Sequence, residues 1–347
     1  MVFFSTPIIY PFALLLSFSV LYLISPQLLL LSPTPTPRYL SLHQPLPDRT
    51  LFRRAIRRPP CAGESDPMKP KIAFLFLTNS DLYFAPLWGK FFKGASPELY
   101  NVYVHADPTC KVKVPAFGPF RTQFIPSKRT RRGSPSLISA ERRLIARAIL
   151  DDPGNRYFAL LSQSCVPLHS FSYIYSSLLG PRLRRRKMLR SFIEVISEDP
   201  NLPDRYASRG EGVMLPEVPF ERFRVGSQFF VLEKRHAVDV LRDRRLWSKF
   251  KLPCNNVDTC YPEEHYFPTL LSMADPKGIS GFTLTNVNWT GSVDGHPYLY
   301  QPQEVSAELV HRLRKSNSTY SYLFARKFAP DCLRPLMAIA DRVIFRD

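Results

Sequence analysis

From Met1 to Pro37 no side chain is charged, and Ile8 to Leu31 forms an apolar run, IIYPFALLLSFSVLYLISPQLLLL, broken only by two prolines, a glutamine and serines. Coiled at 1.5 Å per residue, such a run would extend roughly 36 Å, enough to cross a hydrocarbon layer of about 30 Å. The pattern predicts a membrane-spanning anchor over residues 8–31 behind a short tail, residues 1–7. A cleaved secretory peptide is the alternative, but its basic n-region is missing and the run exceeds the usual h-region of about 7–15 residues. From Ser32 to Pro70 apolar periodicity vanishes and proline recurs at 33, 35, 37, 45, 47, 59, 60, 67 and 70, which predicts an extended stem rather than a core.

At Lys71 the pattern changes again. KIAFLFLT (Lys71–Thr78), YNVYVH (Tyr100–His105), RTQFIP (Arg121–Pro126), YFALL (Tyr157–Leu161) and Gln228–Leu232 are short runs of strand length, the first unbroken in its apolar character. Such runs suit strands covered on both faces. Ser134-Pro135 supplies a cap and a first-turn proline for a helix reaching Leu150, with Leu137, Ile138, Leu144, Ile145, Ala148 and Ile149 on one face. Further helices are predicted over Ser170–Leu179 and His236–Leu246. Strands alternating with helices argue for an α/β domain over residues 71–347: a mixed sheet with flanking helices and a ligand site at the carboxyl ends of the strands.

Composition narrows the chemistry. Lysine and arginine number 47 against 29 acidic residues, a net charge of +18, so an anionic partner is expected. No dinucleotide fingerprint, P-loop or nucleophile elbow is present. The six cysteines contain no C-x-x-C, and Cys254, Cys260 and His265 fall short of a zinc set. No Asp-x-Asp occurs in residues 71–347, so the carboxylate pair that would hold a divalent cation against a nucleotide diphosphate is missing. The basic clusters Lys128–Arg132 and Arg182–Lys187 could serve an acidic polymer without catalysis, but they lack the interleaved aromatics of a single-strand binder, and an anchor argues against nucleic acid.

Read in order, KIAFLFLT, PLWGKFF, YNVYVHADP, the IPS segment with its basic cluster, AERRLIARAILDD, YFALLSQSCVPL, GSQFF, CYPEEHYFPT, NWTGSVDGHP and LFARKF together resemble the plant core-2/I-branching glycosyltransferases, across essentially all of Lys71 to Pro335. The resemblance implies a GT-A fold, a single-pass type II Golgi anchor with a luminal catalytic domain, and sugar transfer without a metal or other cofactor. The co-substrate would be a UDP-sugar, most simply UDP-N-acetylglucosamine, and the acceptor a glycan hydroxyl. A glucuronosyltransferase acting on arabinogalactan is the alternative. Matching motifs residue by residue, Pro262-Glu263-Glu264 implies Glu264 as the catalytic base, with Glu263 where aspartate is usual. Ala325-Arg326-Lys327-Phe328 implies Lys327 on the donor diphosphate, joined by Arg314 or its neighbour Arg312. His105 and Asp107 match a segment that touches the nucleotide, and Trp289 matches an acceptor-pocket tryptophan. Phe229 and Arg224-Val225 depart from the plant pattern at GSQFF, where acceptor choice would be set.

The chemistry is intelligible without the family. A hydroxyl attacks poorly until its proton is taken, and a placed carboxylate is worth roughly 10²–10⁴ in rate. A departing diphosphate gains negative charge, which fixed cations can stabilise. Glu263 and then Glu233 are the alternative bases. Asp107 could simply cap a turn, His105 could be a core histidine, and Trp289 a core aromatic. Sequons stand at Asn288 and Asn317; a glycan on Asn288 would crowd the pocket beside Trp289, which favours Asn317. The arginines at 38, 49, 53, 54, 57 and 58 would by the positive-inside rule put the C-terminal part in the cytosol, against the luminal placement that the resemblance implies.

Overall fold

The computed structural model describes residues 46–57, 69–115, 118–121, 123–180, 189–292 and 295–347. All belong to the second of two units, residues 43–347. The expected tail and anchor, residues 1–31, and the cluster Arg182–Lys187 lie outside them. Among the described residues no helix is long and apolar enough to cross a membrane.

A six-stranded mixed sheet is built around β1 (Lys71–Thr78), in the order β2-β1-β3-β6-β5-β7. Parallel partners β2 (Tyr100–Ala106) and β3 (Asn155–Ser162) flank it. Ile72 to Leu77 are buried on both faces, which is why this strand shows no alternation. Phe74 and Phe76 meet Trp88 edge-on from the Ala85–Phe92 helix, and the Trp88 indole donates to the Cys165 carbonyl at 3.1 Å. Beyond β3 the sheet turns antiparallel through β6 (Val231–Glu233) to β5 (Ser191–Glu194), beside which β7 (Ile279–Gly281) runs parallel. A smaller sheet, β4-β9-β8, joins Val166–Pro167, Phe324–Arg326 and Thr285–Val287.

The Pro135–Asp151 helix starts as read, with Ser134 accepting from the Ser136 amide, and it buries Ile138, Leu144, Ile145, Ala148 and Ile149. Four expectations need correction. Of Arg121–Pro126, only the stretch around Phe124 bridges to Val104, because the chain gives β2 two hydrogen bonds before turning away at Pro126. Gln228 and Phe229 precede β6 rather than belonging to it, and their side chains serve the cleft described below. The single helix expected to Leu246 is two, Lys234–Arg242 and Arg245–Phe250; the Asp243 carboxylate between them accepts from the amides of Leu246 and Trp247 and starts the second. Finally, the proposed stem is not extended throughout. Asp48–Arg57 is a helix whose Leu51 and Ala55 are buried, and Arg143 anchors it by pairing with Asp48 and donating to the Leu46 carbonyl.

Register sets the position of the site. Leu77 lies opposite both His105 and Ser162, and Thr78 opposite Ala106, so the three parallel strands end together. The turn after β3 leads into β4, which pairs with β9, and β9 in turn pairs with β8. Lys327 and Trp289 are thereby carried to the same end as Asp107.

Candidate active site

A cleft of about 400 Å³ opens at this end, lined by Thr78, Asp107, Ser162 and the segments that follow them. Asp107 is almost fully buried. Its two oxygens accept from the amides and hydroxyls of both Thr109 and Thr130, at 2.6–2.8 Å. Burial alone would raise its pKa, but these four donors outweigh it and hold the carboxyl at about 2. The carboxylate therefore ties the loop after β2 to the Lys128–Arg132 segment, and its accepting capacity is committed within the protein.

On one wall stand the two glutamates. The Cys254–Cys260 disulfide closes the preceding loop, and Tyr261 follows it in the left-handed region at φ 33°. A non-glycine residue there is strained, at a cost of order 1–3 kcal/mol. The conformation turns the chain sharply into the Pro262–Glu264 turn. The Tyr266–Ala274 helix follows at once, so Pro268 does not keep the segment from being helical: it sits in the first turn, where its missing N–H costs nothing. Glu263 points inward and is buried. Its Oε1 accepts from the Gly133 amide at 3.1 Å while its Oε2 has no partner among the described residues, and burial pushes its carboxyl to about 7. Glu264 keeps a quarter of its side chain open to the cleft and pairs with Arg205 at 3.0 Å. Desolvation raises its pKa, while Arg205, Arg132 and Arg326 oppose the rise. His265, stacked on Phe223 and bonded to the Arg224 carbonyl, is held neutral by burial at about 3.

Cations line the same cleft. Arg326 lies over the Phe229 ring at 4.3 Å, and its Nε has no hydrogen-bond partner among the described groups. Burial, then the neighbouring Arg326 and Arg132 charges, lower the Lys327 pKa. Arg132, Arg326 and Lys327 thus line one cavity together with Glu263 and Glu264. Arg132 also donates to the Gly295 carbonyl at 2.7 Å and meets His296 at 2.8 Å, tying the 295–297 segment across the cleft mouth. Trp289 is half exposed at the rim, available as a flat face and not as core.

The structure thus gathers Glu264, Lys327, Asp107 and Trp289 around one cavity. It does not gather the others. His105 is wholly buried beneath the floor, its Nε2 accepting from the Lys128 amide, and burial holds it neutral at about 4. Arg314 lies outside the cleft: its guanidinium donates to the carbonyls of Leu168, Val343 and Ile344 and faces Asp347 at 3.4 Å. Its donors thus hold the C-terminal segment. Arg312 is exposed in a separate depression beside Asn288. Glu233 is buried, pairs with Arg156 and caps a helix. Asn317 is exposed, whereas the half-buried Asn288 accepts from the Thr290 amide. The thiols of Cys254 and Cys260 are consumed in their disulfide, and among the described residues no group of three or more His, Cys, Asp or Glu could hold a metal ion. Sequence reading missed Arg205, Tyr261, Arg132 and Arg326 as site residues. Arg132 belongs to a basic cluster that was visible, and Arg326 stands inside the motif quoted for Lys327, but nothing local marks Arg205, which reaches Glu264 from 59 residues away.

Comparison with known proteins agrees with this geometry. The chain is 27% identical to Glycosyltransferase BC10 of rice over 317 residues, covering 76% of each chain. The family model described as Core-2/I-Branching enzyme matches residues 72–314, which contain β1 from Ile72 onward and the two cleft glutamates. The chain belongs to the core-2/I-branching enzyme family and is a glycosyltransferase.

Proposed function

We propose that this chain is a GT-A-type, inverting and metal-independent transferase that moves N-acetylglucosamine from UDP-N-acetylglucosamine to a glycan hydroxyl, held to the Golgi membrane by residues 8–31 with its catalytic unit in the lumen. One observation carries the chemical part: Glu264 opens onto the same cleft as Lys327, Arg326 and Arg132. The glutamate takes the proton of the incoming hydroxyl. The cations meet the charge that develops on the leaving diphosphate, the role a divalent ion would otherwise fill. Asp107, the carboxylate at the strand ends, has its oxygens occupied by four donors, which supports fixed cations as the charge partners. Trp289 offers a sugar ring an apolar face. The long apolar N-terminal run supports the anchor.

A donor screen with the full-length protein tests the reading. Transfer from UDP-N-acetylglucosamine that persists in EDTA is expected. Transfer from UDP-glucuronic acid alone would replace the donor, and abolition by EDTA with rescue by a divalent ion would overturn the metal-free mechanism.

A further inference from the structure

Apart from the cleft, a groove of about 750 Å³ lies between the Asp48–Arg57 helix, the Pro135–Asp151 helix and the Arg242–Lys251 segment. Seven cationic side chains and two carboxylates line it. Arg49, Arg53 and Arg57 recur at every fourth position and so share one helix face, and with Arg244 and Lys251 they are exposed. The two carboxylates are engaged elsewhere. Asp48 is taken by Arg143 and Lys128. Asp243 accepts from the Leu246 and Trp247 amides and the Tyr266 hydroxyl. Among the described residues no ion pair neutralises the five exposed cations.

Beneath the groove, Arg142 is buried between the rings of Phe52 at 4.9 Å and Trp247 at 5.0 Å. One nitrogen donates to the Asp243 carbonyl at 2.9 Å, while Nε and Nη1 have no partner among the described residues. The groove therefore has a rigid, positively charged floor with half-buried aromatic rings beside it. Lys128 bonds Asp48 at the groove, and the residues that follow, Arg129, Arg131 and Arg132, line the cleft.

We propose that this groove binds the carboxylated part of a linear acidic glycan whose end is presented to the cleft as acceptor. The inference rests on the glycosyl-transfer reading. A concave surface with exposed cations that no ion pair among the described residues neutralises, and with Phe52 and Trp247 beside them, fits a sugar chain carrying regularly spaced carboxylates.

The test uses the full-length protein in neutral detergent at low salt, with an oligogalacturonide decamer and its fully methyl-esterified counterpart as probes. The decamer should bind, and the ester should bind about tenfold or more weakly, since only the charge differs. Replacing Arg53→Gln, Arg57→Gln and Lys251→Gln together should weaken decamer binding by about tenfold or more and leave hydrolysis of the UDP-sugar unchanged. Removing the same charge elsewhere, at the exposed Arg334→Gln, Arg342→Gln and Arg346→Gln, should change binding less than about twofold. Equal binding of the ester, an unaffected groove variant, or tighter binding of phosphatidylserine vesicles or a single-stranded oligonucleotide would each overturn the proposal. Intact decamer binding with no sugar-nucleotide turnover in the unaltered protein would overturn the acceptor role through the function. Intact turnover with groove-independent binding would overturn the groove itself.

Discussion

Arg205→Gln isolates the electrostatics of the proposed base. The Arg205 guanidinium stands 3.0 Å from Glu264 Oε2, with both side chains largely buried. Two unit charges with centres about 4 Å apart interact by about 4 kcal/mol at an effective dielectric near 20. Partial exposure and salt reduce this to roughly 1–2 kcal/mol, or about one pKa unit. Arg205 favours the ionised carboxylate, so its loss must raise the Glu264 pKa further above the ordinary range, where desolvation already holds it. A base works ionised, so activity falls as pH drops through that pKa. The acidic limb of the kcat/KM profile should therefore move up by about one pH unit in Arg205→Gln, while activity well above the limb changes little. His265, 3.4 Å from the same guanidinium, cannot produce this limb because its pKa is about 3. Arg132 and Arg326 act on Glu264 in both proteins and cancel in the comparison. The assay is initial-rate sugar transfer between pH 5 and 9. An acidic limb at the same pH in both proteins would refute the reasoning, because the paired carboxylate would then not be the titrating group.

Two further substitutions separate structure from chemistry. Glu263 has a folded pKa of about 7 against 4.5 ordinarily, so the folded protein binds more protons in that interval and loses stability as pH rises through it. Glu263→Gln should flatten this slope and be more stable than the parent above pH 7, by up to roughly 3 kcal/mol, in thermal unfolding followed from pH 5 to 8; an unchanged slope would contradict the assignment. Arg314→Gln should lower stability by about 2–4 kcal/mol, because it strands carbonyls of the C-terminal segment, and leave the donor KM within about twofold. An unchanged melting temperature with a tenfold rise in donor KM would restore Arg314 to the diphosphate.

How far the sequence reaches can be seen residue by residue. β1 was legible because a strand covered on both faces needs no alternation, only an unbroken apolar run, and the Pro135–Asp151 helix because its cap and first-turn proline are local signals. Glu264, Lys327 and Trp289 could be proposed from short motifs, but their meeting depends on β4, β9 and β8, strands of two or three residues with no pattern of their own. The Asp48–Arg57 helix was hidden because its buried face is only Leu51 and Ala55 amid arginines and nearby prolines. The surroundings of Arg314 were hidden for a related reason: an arginine's spacing from a motif says nothing about which carbonyls it will meet. The +18 charge likewise resolves into places. Part lines the cleft, part the groove beside the Asp48–Arg57 helix, and part is spent within the fold by residues such as Arg142, Arg143 and Arg314.

The central claim is that Glu264 removes the acceptor proton in a cleft whose fixed cations hold the diphosphate. The most direct measurement is single-turnover transfer by Glu264→Gln, with UDP binding measured on the same preparation. A rate lower by about 10²–10⁴ is expected, with UDP affinity within about threefold of the parent, because the amide cannot accept the proton while Lys327, Arg326 and Arg132 remain in place. Transfer at the parental rate would contradict it.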